Sequence, residues 1–166
     1  MTFKSMITSI AVVACLSASV GVAEGIRKVD DPIVSPLTPQ SEAAFIQVLN
    51  AWARPSISST NNNSAIYFEI QNNSNKDYNL INVASDIANK VELHQSFIDE
   101  KGVAKMVKLD KLVIPATSSV TLQPGGIHIM LLDLKSKLKV GEKFSLSLYF
   151  DNGIQQNVEV EVKTTN

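Results

Sequence analysis

Phe144-Ser145-Leu146-Ser147-Leu148-Tyr149-Phe150 alternates apolar and polar side chains without a break. Successive residues of a β-strand point to opposite faces. The stretch therefore puts Phe144, Leu146, Leu148 and Phe150 on one face, with Ser145, Ser147 and Tyr149 on the other. Such a strand has one side in a core and one in water. Working outward, Ile66, Phe68 and Ile70 alternate with Tyr67, Glu69 and Gln71, and Val158, Val160 and Val162 alternate with Glu159, Glu161 and Lys163. Further strands are predicted over 46–53, 79–85, 90–97, 103–109, 119–122 and 127–134. Turn-forming clusters separate them at 58–63, 72–77, 99–102, 124–126 and 151–153. Short strands at this spacing, with no amphipathic helix between them, predict an all-β domain: an antiparallel Greek-key β-sandwich or barrel.

The chain has 166 residues, 45% hydrophobic and 19% charged, which suits one globular domain with its own core. Its formal net charge is −1, and no run of Lys or Arg occurs, so neither nucleic acid nor an anionic membrane surface is an expected partner. Aromatic residues make up only 6%, too few for a base-stacking surface. Residues 1–23 have the layout of a secretory signal: Lys4, then an apolar run over 7–22, then small residues at Gly21 and Ala23 before a cleavage point at Glu24. The alternative is a lipoprotein signal, because Val12-Val13-Ala14-Cys15 resembles a lipobox and would leave Cys15 lipidated at the mature N-terminus. Either route exports the domain to the periplasm, with no transmembrane segment in the mature form. Since Cys15 is the only cysteine, the domain contains no disulfide and relies on packing. Residues 24–43 hold three of the six prolines and read as a linker or N-terminal arm, leaving 44–166 as the folded domain.

The chemistry lies in a small inventory. There are two histidines and four methionines, and Met1 and Met6 fall in the signal, so the mature chain keeps His94, Met106, His128 and Met130. His128 and Met130 are two apart on one strand and share a face. Val91 and Leu93 point inward with Phe97, which leaves His94 outward with Glu92 and Ser96. If the turn at 99–102 sets Phe97 opposite Val103, His94 lies opposite Met106 across a hairpin. Imidazole plus thioether is a soft, neutral donor set that selects monovalent copper over harder ions. The competing reading treats the methionines as packing residues and the histidines as scattered surface groups.

From Ala51 to Val162 the chain resembles the periplasmic copper chaperones of the PCuAC type, whose hallmark is H-M-x10-M-x21-H-x-M with a variable second position. Eleven residues separate His94 from Met106, twenty-one separate Met106 from His128, and Met130 follows in place; Gln95 stands at the variable position. The flanking Ala51-Trp52-Ala53-Arg54, Val91-Glu92-Leu93-His94 and Gln123-Pro124-Gly125-Gly126-Ile127 are similar too. The resemblance implies a cupredoxin-like fold and a copper carrier. An enzyme is the first rival, and it is not expected: the mature chain has no cysteine nucleophile, both histidines belong to the copper reading, and no motif marks a carboxylate pair. A monomer is expected. The resemblance also implies Cu(I) held by His94, Met106, His128 and Met130, and delivery to cytochrome oxidase subunit II, at its binuclear copper centre, or to another copper chaperone. Relatives with a second, Cu(II) site carry a His/Met-rich C-terminal extension; none follows Val162 here, so a second site is not expected. The rival from a different class is an exported adhesion or assembly module without metal, acting through an exposed strand edge. Supporting residues are assigned modestly: Pro124-Gly125-Gly126 aims His128, Trp52 belongs to the core, Arg54 and Pro55 end the first strand, and Glu92, Asp99 and Glu100 are solvated charges.

Overall fold

The computed structural model describes residues 44–56 and 62–164; the proposed signal, the lipobox cysteine and the linker over 24–43 lie outside them. Ten strands follow one another: β1 (Ile46–Ala53), β2 (Ser64–Asn72), β3 (Tyr78–Ala84), β4 (Ala88–Ile98), β5 (Ala104–Lys108), β6 (Leu112–Ile114), β7 (Ser118–Leu122), β8 (Ile127–Leu134), β9 (Lys143–Phe150) and β10 (Gln155–Val162). Among the described residues there is no helix. The hydrogen-bonded order is β5-β4-β8-β2-β1-β10-β9-β3-β6, with β7 also on β2. Among the described residues all pairings are antiparallel except β1 with β10, a parallel junction where Trp52 lies opposite Glu161. With that junction, the strands build an antiparallel β-sandwich.

The alternation read from the sequence builds the core. Ile66, Phe68 and Ile70 of β2, Leu93 of β4 and Ile129 and Leu131 of β8 pack in one cluster with Leu80, Leu146, Leu148, Val160 and Val162 from the other half of the strand order. Many of these side chains are wholly buried, and each removes apolar surface worth about 1.5–3 kcal/mol from water.

Three features position the site. β2 gives one edge to two strands in succession: Ser64–Ile66 pair with β8, and Phe68–Asn72 pair with β7. The turn at 123–126 bridges them, with Gly125 at φ 79 and the amides of Gly126 and Gln123 bonded to the carbonyls of Gln123 and Ile127. β1 carries an irregularity between Leu49 and Trp52, where Asn50 takes φ 55. Such an extra residue re-aims the side chains that follow it.

The third feature corrects a register. The hairpin after β4 closes through an Asp99 amide bond to Val103 carbonyl, and Gly102 takes φ 76. This is a three-residue loop ending in a left-handed glycine, so Ile98 lies opposite Ala104, Phe97 opposite Lys105 and His94 opposite Lys108. His94 therefore does not face Met106; Ser96 does. The displacement is two residues, an even number, so Met106 keeps the same face as His94. Phe97, expected in the core, is 42% exposed. Every residue of β5 is exposed. Strand β6, absent from the sequence reading, is three residues that cap the edge of β3.

Candidate metal site

His94 and His128 lie directly opposite each other on β4 and β8. They share a face because each is flanked by core residues, Leu93 before His94 and Ile127 and Ile129 around His128. Their ring centroids are 6.0 Å apart. Met130, two residues after His128, lies opposite Glu92 on one side and Ala65 on the other. Met106 enters from β5 beside His94's neighbour Ser96. All four residues singled out in the sequence thus stand on one face of three adjacent strands, the face away from the core. Met106, His128 and Met130, with Arg54, Tyr67 and Pro124, line a cleft of about 330 Å³. His94 is not among the residues that line it; its ring lies opposite His128, 6.0 Å away between centroids.

The face is less open than strand alternation suggests. His128 is only 4% exposed, while Met106 is 51% exposed. Tyr67 lies beside His128 with centroids 6.2 Å apart, and Trp52 stacks on Tyr67 at 4.7 Å. Trp52 therefore belongs to the site face and is not part of the core. Arg54 follows the end of β1; its carbonyl accepts the Ser64 hydroxyl at 2.6 Å, and its side chain borders the cleft.

Hydrogen bonds settle which ring nitrogens are free. His128 Nδ1 is 3.1 Å from the Gly126 carbonyl. A carbonyl only accepts, so Nδ1 carries the proton and Nε2 keeps its lone pair. The turn at 123–126 thus orients the ring as well as the strand. Burial pushes the His128 imidazole below its ordinary value, with nearby His94 and Arg54 adding to the effect and the Gly126 bond opposing it. His94 Nε2 is 3.1 Å from Glu92 Oε2, and among the described residues its buried Nδ1 has no hydrogen-bond partner.

Glu92, expected as a solvated charge, is 8% exposed. It holds Lys90 at 3.0 Å and Lys108 at 2.8 Å, and these two ammonium groups, Lys108 foremost, bring its carboxyl down to about 2 despite burial. The spacing Glu92-x-His94 on a strand was the available signal for this neighbour. Among the described residues no three of His, Cys, Asp and Glu gather as a metal-binding group. The donors on this face are two imidazoles and two thioethers, which suits a soft monovalent ion.

An outer-face His/Met cleft on a cupredoxin-like sandwich defines the class of domain. Comparison with known proteins places it further. The family model described as "Putative lipoprotein LpqE-like" matches residues 46–162, and the chain belongs to this LpqE-like, PCuAC-type family. It is 40% identical over 126 residues to RP573 of Rickettsia prowazekii, covering 74% of this chain and 69% of that protein. It is 32% identical over 127 residues to Lxx21020 of Leifsonia xyli subsp. xyli, covering 76% and 74%. Among solved structures, the copper-bound PCuAC domain from PmoF2 superposes with a TM-score of 0.61 at 22% identity, over 73% of this chain and 94% of that one, a likeness of fold. The solution structure of CuI-DR1885 from Deinococcus radiodurans gives 0.55 at 31% identity, over 75% and 84%.

Proposed function

We propose that this domain is an exported carrier of Cu(I), binding one cuprous ion through His94, Met106, His128 and Met130. We propose further that it hands the ion to a respiratory copper centre such as the binuclear site of cytochrome c oxidase. The observation that carries the reading is the β4–β8 register. It sets His94 opposite His128, each ring with one nitrogen bonded to the protein and the other left over, and flanks them with two thioethers. Neutral imidazole and thioether donors stabilise Cu(I) without bringing charge into a partly buried cleft. The copper-bound states named for PmoF2 and DR1885 support the ion, and the lipoprotein description of the family supports export. Among the described residues no helix is long and apolar enough to cross a membrane.

Carriage requires that the ion can leave. Met106 is the most exposed of the four and lies on the edge strand β5, on the same face as exposed Ile98. An acceptor approaching this edge meets Met106 first.

The test is anaerobic Cu(I) titration of the mature domain against a chromophoric chelator, repeated with Zn(II) in competition. One Cu(I) per chain, retained against zinc, is expected. A domain that takes no stoichiometric copper, or prefers zinc, is not a copper carrier, and the metal-free assembly role becomes the better reading.

A further inference from the structure

We propose that Glu92 is a positioning residue that determines which nitrogen of His94 is available to a metal. The inference deepens the carrier reading and assigns opposite ring nitrogens to the two histidines, Nδ1 for His94 and Nε2 for His128.

The Glu92 carboxylate divides its two oxygens between different partners. Oε1 accepts from Lys90 Nζ at 3.0 Å and from Lys108 Nζ at 2.8 Å. Oε2 is left to His94 Nε2 at 3.1 Å. Both lysines are more than half exposed, but the carboxylate they grip is buried. Lys108 lies directly opposite His94 across β4 and β5, so its ammonium reaches back along the strand to hold the glutamate that holds the histidine. A carboxylate fixed by two cations can only accept. His94 Nε2 must then donate, which places the ring proton on Nε2 and leaves the lone pair on Nδ1. Among the described residues, Nδ1 of this ring is buried without a hydrogen-bond partner. For His128 the Gly126 carbonyl does the same work from the other side of the ring, protonating Nδ1 and freeing Nε2. A neutral ring binds metal through its unprotonated nitrogen, and a carboxylate on the other nitrogen fixes tautomer and orientation together.

A plain structural role for Glu92, tying β4 to β5 through Lys108, makes no claim about tautomers, and Glu92→Gln separates the two. Gln nearly preserves the volume, but has one acceptor oxygen. The two ammonium groups can be met only by that oxygen, so the amide NH₂ turns to His94. An amide nitrogen donates, Nε2 must accept, and the ring proton moves to Nδ1, where it blocks the metal. The experiment is long-range ¹H–¹⁵N spectroscopy of the metal-free domain labelled at histidine, with Cu(I) competition on the same samples.

Wild type is expected to show His94 protonated on Nε2 and His128 on Nδ1. Glu92→Gln is expected to switch His94 alone and to weaken Cu(I) binding by about 10–100-fold. Wild-type His94 protonated on Nδ1 overturns the proposal without any variant, so failure of Glu92→Gln to fold does not shelter it. An unswitched His94 in a folded Glu92→Gln domain overturns it as well. Because the tautomer is read without metal, a wild-type domain that binds no copper refutes the carrier reading separately.

Discussion

Replacing Met106 by Leu separates ligation from packing most cleanly. Met106 is 51% exposed on a strand whose every residue is exposed. A fully buried methionine contributes about 1.5–3 kcal/mol through burial, so Met106 has about half of that at stake. Leucine, close in volume, keeps most of this share. The expected change in stability is within about 0.5 kcal/mol, as for ordinary surface substitutions, or about 2–3 °C in Tm for a domain of this size. Under the proposed ligand set, removing one of four donors should cost Cu(I) affinity at least tenfold, about 1.4 kcal/mol. Thermal unfolding of the metal-free variant and chelator competition on the same preparation give both numbers. Unchanged affinity would remove Met106 from the ligand set. A fall in Tm of more than about 5 °C would show that it is a packing residue after all, contrary to its exposure.

Other expectations follow from the electrostatics and the core. The Glu92 carboxyl is held at about 2 against an ordinary 4.5, so the stability it contributes is fully present above pH 4.5 and is lost as pH falls from there towards 2. The ceiling is about 3 kcal/mol, and solvent around the exposed lysine heads reduces it to about 1–2. Denaturant unfolding of wild type and Glu92→Gln should therefore converge at low pH, and a pH-independent gap would refute the assignment. For copper, thioethers exchange no protons, so affinity should be level above the ordinary imidazole value of ~6.5 and fall below it by at most two protons per ion. His128 enters that competition late, since burial keeps it neutral to lower pH; a slope above two would bring carboxylates into the site. Finally, the metal-free domain should already be folded, with β2, β9 and β10 equally protected from hydrogen exchange with and without copper. Loss of that protection on removing copper would mean that metal binding and folding are one event.

The fold was legible because its strands are half-buried. Wherever one face meets the core, the period of two is written into residues such as Phe144 to Phe150, and the predicted bounds of β1 and β8 coincide with the observed ones. β6 escaped because Leu112–Ile114 is too short to show a period. The residues proposed as ligands share a face for the same reason: each sits beside core-facing neighbours, and parity survives any even slip in register. Direct partners were harder. The turn residues Asp99 to Gly102 announce a hairpin but not whether Val103 closes the loop or begins the ladder, and that choice decides whether His94 meets Met106 or Lys108. The partner that matters, His128, is on a strand distant in sequence, and no local signal gives that register. Burial on the outer face was also hidden. Glu92 looks like a solvated charge until Lys90 and Lys108 are seen to enclose it, and Trp52 looks like core until β1's irregularity turns it towards Tyr67.

The distribution of exposure across the site bears on how a carrier can both hold and release an ion. His128 is fixed three ways: by its place after the 123–126 turn, by the Gly126 carbonyl, and by Tyr67 with Trp52 behind it. His94 is fixed by Glu92 and by the strand pair it forms with His128. Met106 has none of these restraints; its strand pairs with β4 on one edge only, and half its side chain is in water. Under the proposed reading, transfer to an acceptor proceeds by exchange of donors one at a time, which needs one donor that leaves easily while the others hold. The weakest donor then belongs where the partner can reach it, and the rigid pair belongs deeper, where losing the ion does not disturb them. Because all four proposed ligands lie off the core face, none belongs to the cluster formed by Leu93, Ile129 and Ile66, and filling the cleft is expected to leave that packing in place.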